Sequence, residues 1–403
     1  MTSTDDVLAG AIETRLIDHH CHGVSPAELD FAGFQALFSE SYRPAPKGTT
    51  EFQKPLGLAI RRFCAPVLDL EPSSSAEAYL ERRLTLGAAE VNRRFLRASG
   101  LDSLLIDTGH RSDAILDVPA MAEAASRPAR EVVRIEAVAE GVARTTRDAA
   151  RFPEVLADRL TERARDAVGL KTIVAYRCTF RIDQTAPTRD EVVRAADTWF
   201  RKAEASGKWR LEDPTVVRHG LWIGAELCRA RKLPLQVHVG FGDPDIYLHA
   251  CDPTHFTDFI AAMEKWEVPI TLLHNYPFQR EAAWLSEVFQ NVYYDVGVIL
   301  NYAAPMSADI LGEALEIGKF SKLLYSSDAF GLSELYYLGA LLFRRGLKRV
   351  LDRWLSEDFC TLQDAEELVR LVATENARRI YPLGELGDTA SPTMTTISKV
   401  TPL

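Results

Sequence analysis

From residue 101 onward the sequence alternates short apolar runs with amphipathic stretches, the pattern of strand-helix units around a parallel sheet. The runs are SLLIDTG (103–109), VVRIEAV (132–138), LKTIVAY (170–176), PLQVHVG (234–240), PITLLH (269–274), NVYYDVG (291–297) and KLLYSSDA (322–329). With RLIDHHCH (15–22) upstream they number eight. Eight strands, each followed by a helix, close an α/β fold of the (β/α)8 TIM-barrel type, which usually takes about 250 residues. A chain of 403 residues accommodates such a barrel with insertions, and the reading is one domain over 1–383.

Helix signals fall between the runs. Asp252-Pro253 offers an N-cap and a proline at the first helical position, and Phe256, Phe259, Ile260 and Met263 then share one face. Trp284, Leu285, Val288 and Phe289 form a second stripe, and Met306, Ile310, Ala314 and Leu315 a third, all expected to face the core. The surplus length lies in two places. Residues 24–100 read as a mostly helical insertion after the first strand, placed either to cap a site or to pack on a second copy of the chain. Residues 384–403, GELGDTASPTMTTISKVTPL, are small and polar without periodicity, and read as a flexible tail.

Composition narrows the function classes. The chain is 47% hydrophobic and 26% charged, which is globular. A net charge of -10 argues against a nucleic-acid partner, and the short basic clusters RRGLKR and RARK read as solvated helix faces. No apolar run reaches membrane-span length, and MTSTDDVLAGAIETRL lacks the features of a secretory signal, so the expectation is a cytoplasmic protein with no membrane partner. Six scattered cysteines without a CxxC pair support neither a disulfide frame nor a four-cysteine zinc site.

In a parallel barrel the functional side chains come from the carboxyl ends of the strands. Strand 1 ends in His20-Cys21-His22, strand 5 in His238, strand 6 in His274 and strand 8 in Asp328. Alternation turns His20 and His22 to one side and Cys21 away, so the pair suits one metal ion, with His19 as a packing or supporting residue. Each histidine alone is compatible with a packed core residue. Four histidines and an aspartate ending strands on one rim point to a metal site. His219, His249 and His255 fall in helical or loop contexts and need no metal, whereas His110 closes strand 2 and either lines the pocket or is a plain loop residue.

The motifs IDHHCH, VHVGFGDPD, LLHNYP, YYDVG, YSSDA and the closing ENARRIYPL resemble the amidohydrolase superfamily, in particular its amidohydrolase-2 branch and FluG-like members. The resemblance covers nearly the whole chain. It implies a metal-dependent hydrolase in which His20, His22, His238, His274 and Asp328 bind a divalent metal, most often Zn²⁺ with Mn²⁺ as the alternative, and Asp328 takes a proton from the attacking water. It also places Lys171 on the lysine that some members carboxylate to bridge two metals. The expected strand at 170–176 puts Lys171 near its start, so a carboxylated ligand with two metals and an ion-paired lysine beside one metal both remain open.

Asp243 and Asp245, after strand 5, offer carboxylates for a substrate ammonium, or else build a turn. Arg177, just past strand 4, suits a substrate carboxylate. The favoured reading is hydrolysis of a C–N bond in a small molecule, such as a γ-glutamyl amide or an N-acyl amino acid. The resemblance also carries non-oxidative decarboxylation, lactone hydrolysis and sugar-acid isomerisation as alternatives, and a non-catalytic binding protein on the same barrel is a further one. A homo-oligomer is an open expectation.

Overall fold

The computed structural model of the chain describes residue 8 and residues 10–384, so most of the tail expected at 384–403 lies outside the described residues. Seven parallel strands pair in sequence order: β1 (Leu16–Cys21), β2 (Leu101–Asp107), β3 (Ala129–Arg134), β4 (Gly169–Thr172), β5 (Leu235–Val239), β6 (Ile270–His274) and β7 (Val292–Tyr294). β1, β4, β5, β6 and β7 are buried at every position. That is why β5, β6 and β7 read as mostly apolar runs rather than as an alternation, since helices cover the outside of a parallel sheet.

The eighth expected strand, 322–329, is not a ladder strand. It makes a single parallel bridge, Tyr294 with Leu323, and otherwise bonds singly to both sheet edges: Leu324 N–H to Tyr294 (2.9 Å), His19 N–H to the Tyr325 carbonyl (3.1 Å) and Asp328 N–H to the His20 carbonyl (3.1 Å). Side chains hold backbone groups that a ladder would use. Asn376 donates to the Leu323 carbonyl (2.8 Å), the Asp18 carboxylate accepts from Ser327 N–H (2.9 Å), and Asp328 turns left-handed at φ 49°.

Two other runs are shorter than expected. The third strand stops at Arg134 and a helix starts at Ile135; the fourth stops at Thr172 and a helix follows at Val174–Cys178. Buried Glu136 causes part of this, because one of its oxygens accepts from both Thr172 Oγ1 (2.5 Å) and Ile173 N–H (3.0 Å) and draws the chain out of the sheet. Of the three apolar stripes, Phe256, Phe259, Ile260 and Met263 are fully buried, with Asp252 capping a short turn that leads into the helix at Thr257–Lys265. The second is rotated. Trp284 is 43% and Val288 45% exposed, because the helix at Gln279–Val288 seats small Ala282, Ala283 and Ser286 against the sheet with Leu285. In the third, Met306 lies exposed in the turn before the helix at Ser307–Leu315. In RRGLKR, Arg344 is not on a solvated face, since it donates to the carbonyls of Ser99 and Gly100.

Between β1 and β2 the chain forms helices at Phe31–Ala36, Pro55–Ala59, Ala76–Leu86 and Ala88–Ala98. Phe34, Phe38 and Phe52 pack together with ring centroids 5.3–5.9 Å apart. The insertion is tied to the long helix at Ser333–Ser356 by a buried ion pair, Arg83 Nε to Glu334 Oε1 (2.7 Å), with the Tyr79 hydroxyl donating to the same oxygen (3.0 Å). Ala36, Leu37 and residues 39–42 of the insertion line the cavity at the strand ends. At the opposite end Ile380, Tyr381 and Leu383 pack among Ile17, Leu105, Val132 and Tyr293, and the Tyr381 hydroxyl reaches His19 and Gln236. Among the described residues no helix is long and apolar enough to cross a membrane.

Candidate metal centre

His20, at the end of β1, presents Nδ1 to Gln236 Oε1 on β5 at 2.8 Å. The Gln236 amide nitrogen already donates to the His19 carbonyl and to the Tyr381 hydroxyl, so its oxygen can only accept and His20 Nδ1 carries the proton. His22 Nδ1 meets the Asp107 carbonyl at 3.0 Å, which fixes the same tautomer. Both imidazoles therefore aim the lone pair of Nε2 inward. Both lone pairs face one oxygen, Asp328 Oδ1, at 3.1 and 3.4 Å.

The Lys171 ammonium, 2.8 Å from His20 Nε2, meets one of these lone pairs; without a cation, two imidazole lone pairs and a carboxylate oxygen repel one another, so the grouping also suits a metal ion. Across the cavity floor, His274 Nε2 is 3.5 Å from Asp328 Oδ2. Both ring nitrogens of His274 and Nε2 of His238 are buried without a hydrogen-bond partner among the described residues. Burial pushes the His20 imidazole down to about 3 and holds His238 and His274 below the ordinary histidine range, so all three are neutral, the form that ligates metal. Imidazole nitrogens with a carboxylate fit a divalent cation of the zinc type.

The ligand backbones are strained where they meet this floor. His274 has φ 71° and Asp328 φ 49°, uncommon for residues with side chains. Asp295 holds the first in place by accepting from His274 N–H (2.7 Å), while its other oxygen takes His19 Nε2 (2.7 Å). His19 is thus a supporting residue, as the alternation of β1 implied. Cys21 points into the outer layer, its thiol on the Leu105 carbonyl at 3.5 Å.

Lys171 lies one residue from the carboxyl end of β4, fully within the site. Its Nζ is 2.8 Å from His20 Nε2 and 3.5 Å from Asp107 Oδ2, and burial lowers its ammonium pKa. The strand expected over 170–176 ends four residues earlier, at Thr172, which brings Lys171 to its carboxyl end. Asp107 was not anticipated. The acid that ends β2 is a rim residue like the others; its Oδ1 accepts from Gly109 N–H (2.8 Å) and its Oδ2 from Arg134 (2.6 Å). The ligand atoms of His20, His22 and Asp107, and those of His20, His274 and Asp328, each lie within 4.8 Å of one another.

Above the floor opens a cavity of about 530 Å³ that reaches all four substrate-binding candidates: Arg177, Asp243, Asp245 and His110. Arg177 is 9% exposed and pairs with Glu140 at 3.0 Å, leaving Nε and one terminal nitrogen without partners. Asp245 pairs with Arg210 at 2.8 Å and its N–H bonds Asp243, so these acids serve both a turn and the cavity wall. The His110 ring packs 4.7 Å from Phe330, and burial pushes it down to about 3.

The amidohydrolase family model matches residues 17–383. The chain belongs to the amidohydrolase family. It is 31% identical over 243 residues to fluG of Emericella nidulans, a match that takes in 58% of this chain and 27% of fluG. Among solved structures it is similar to a Lactobacillus casei protein described as a candidate metal-dependent hydrolase, at TM-score 0.80 and 25% identity over 93% of this chain and 96% of that one. The uronate isomerase of Bacillus halodurans, 11% identical at TM-score 0.65 over 94% and 97% of the two chains, shares the fold. An amidohydrolase fold with histidine and aspartate metal candidates on its strand ends is thus in place.

Proposed function

We propose that this amidohydrolase cleaves a C–N amide bond in a small molecule, such as a γ-glutamyl amide or an N-acyl amino acid, in the 530 Å³ cavity. His20, His22, His238, His274 and Asp328 would hold the metal, with carboxylated Lys171 as a further ligand. A bound zinc-type ion lowers the pKa of water towards ~7 and polarises a carbonyl. Asp328 accepts the proton of the attacking water and returns it to the departing nitrogen as the C–N bond breaks, so that amide and water become acid and amine. Gln236, Asp295 and the Asp107 carbonyl keep the rings in the orientation this requires, and the capping insertion excludes bulk solvent.

One observation carries the reading: His20 and His22 Nε2 converge on Asp328 Oδ1 at 3.1 and 3.4 Å beside buried, unpartnered ring nitrogens of His238 and His274, a donor set suited to a metal cation. Elemental analysis of wild type and Lys171→Ala, with amine release followed across γ-glutamyl and N-acyl amides, tests it. The expected result is about two metals per chain, falling in the variant with loss of amide turnover. One metal in both proteins and no amide cleaved would overturn it in favour of decarboxylation or lactone hydrolysis.

A further inference from the structure

Glu40 is a carboxylate that neither the metal site nor the strand ends account for. It comes from the insertion and lines the same cavity as Asp328 and Arg177. Its carboxylate has one hydrogen-bond partner among the described residues, the Tyr302 hydroxyl at 2.7 Å. Lys54, whose charge it feels, is bound instead to Glu51 and to the Phe38 carbonyl, both at 2.6 Å. A carboxylate accepts about four hydrogen bonds, so that of Glu40 has free capacity. Tyr42, Tyr176 and Tyr302 also line this space, and phenol rings favour a cation over their faces.

A second and independent feature points to a ligand in the same space. Arg177 is nine-tenths buried and lines the cavity, and its buried Nε and one terminal nitrogen have no partner among the described residues, so its guanidinium has unused donors suited to an anion. One cavity is thus lined by an incompletely used guanidinium from the helix after β4 and an incompletely used carboxylate from the insertion. We infer that Glu40 is a substrate-selecting residue that receives the ammonium of a zwitterionic head group whose carboxylate is held by Arg177. This rests on the amide reading and sharpens it. A free α-amino acid head requires the scissile amide to lie on the side chain, whereas an N-acyl amino acid has no ammonium for Glu40 and is disfavoured.

Binding, rather than turnover, is the test, so that it stands apart from the chemistry. Isothermal titration of the full chain with L-glutamate and with glutarate, which lacks only the ammonium, compares wild type with Glu40→Gln and Arg177→Met. Expected are a preference of wild type for glutamate, a loss of roughly tenfold or more in Glu40→Gln for glutamate alone, and a loss for both ligands in Arg177→Met. Unchanged glutarate binding by Glu40→Gln also shows that the variant is folded. Equal binding of the two ligands by wild type, an equal loss of both in Glu40→Gln, or binding of neither would overturn the assignment. Turnover of N-acyl amides with no ammonium-bearing substrate would leave the hydrolase reading standing and remove this one.

Discussion

The floor and the wall of the cavity are built differently. On the floor, each ring of known orientation is fixed by a partner that is itself fixed: His20 by Gln236, which Tyr381 and the His19 carbonyl hold, and His22 by the backbone of Asp107. The wall is made by loops and by the insertion, with partly satisfied or solvent-shared groups such as Arg177, Glu40 and Asp245. On the proposed reading, the candidate ligands of the floor would set what chemistry is done and the adaptable wall on what. Function placed on loops above a rigid scaffold is the general arrangement of barrels.

Substitutions separate the two regions, and the floor is expected to give the largest effects. Asp328→Asn removes the proton acceptor and should lower kcat by about 10³-fold with little change in KM, measured by steady-state amine release. Next is the anchor of the wall to the barrel. Arg83→Met leaves Glu334 buried without its cation and should cost about 3–5 kcal/mol of stability in a denaturant titration, exposing how far the insertion depends on that pair. Gln236→Leu frees the His20 ring and should weaken metal affinity by about 10- to 100-fold in a chelator competition, while substrate affinity of the loaded enzyme changes little. Smallest of all, Asp245→Asn breaks a pair with Arg210 that shares solvent, and KM should move by no more than about twofold. A wall variant that lost metal, or a floor variant that altered only KM, would break the distinction.

The floor was legible in the sequence because strand ends carry it. His20, His22, His238, His274 and Asp328 each close an apolar run, and that position alone sends them to one rim. Asp107 shows how a strand boundary hides a residue: a strand expected to reach residue 109 points to His110, three positions beyond the observed end at Asp107. Lys171 was obscured in the same way by drawing β4 through a stretch that Glu136 pulls into a helix. The eighth strand was expected from its apolar pattern, yet Asn376 and Asp18 bond its backbone from outside the sheet, and no local pattern announces a partner 53 or 309 residues away. Glu40 had no signal at all, since it is a polar residue in a proline-bearing stretch whose meaning depends on the insertion folding back over the barrel. Trp284 and Val288 mark the converse error, where apolar spacing was right but small neighbours set which face packs.

The central claim is that neutral imidazoles and Asp328 surround a cation. Anomalous diffraction from crystals of the zinc-loaded chain, collected on both sides of the zinc absorption edge, tests it most directly. The account predicts a peak ~2.0–2.2 Å from Nε2 of His20 and His22 and from an Asp328 oxygen. No peak there, or peaks only at surface histidines such as His249 and His255, would contradict it.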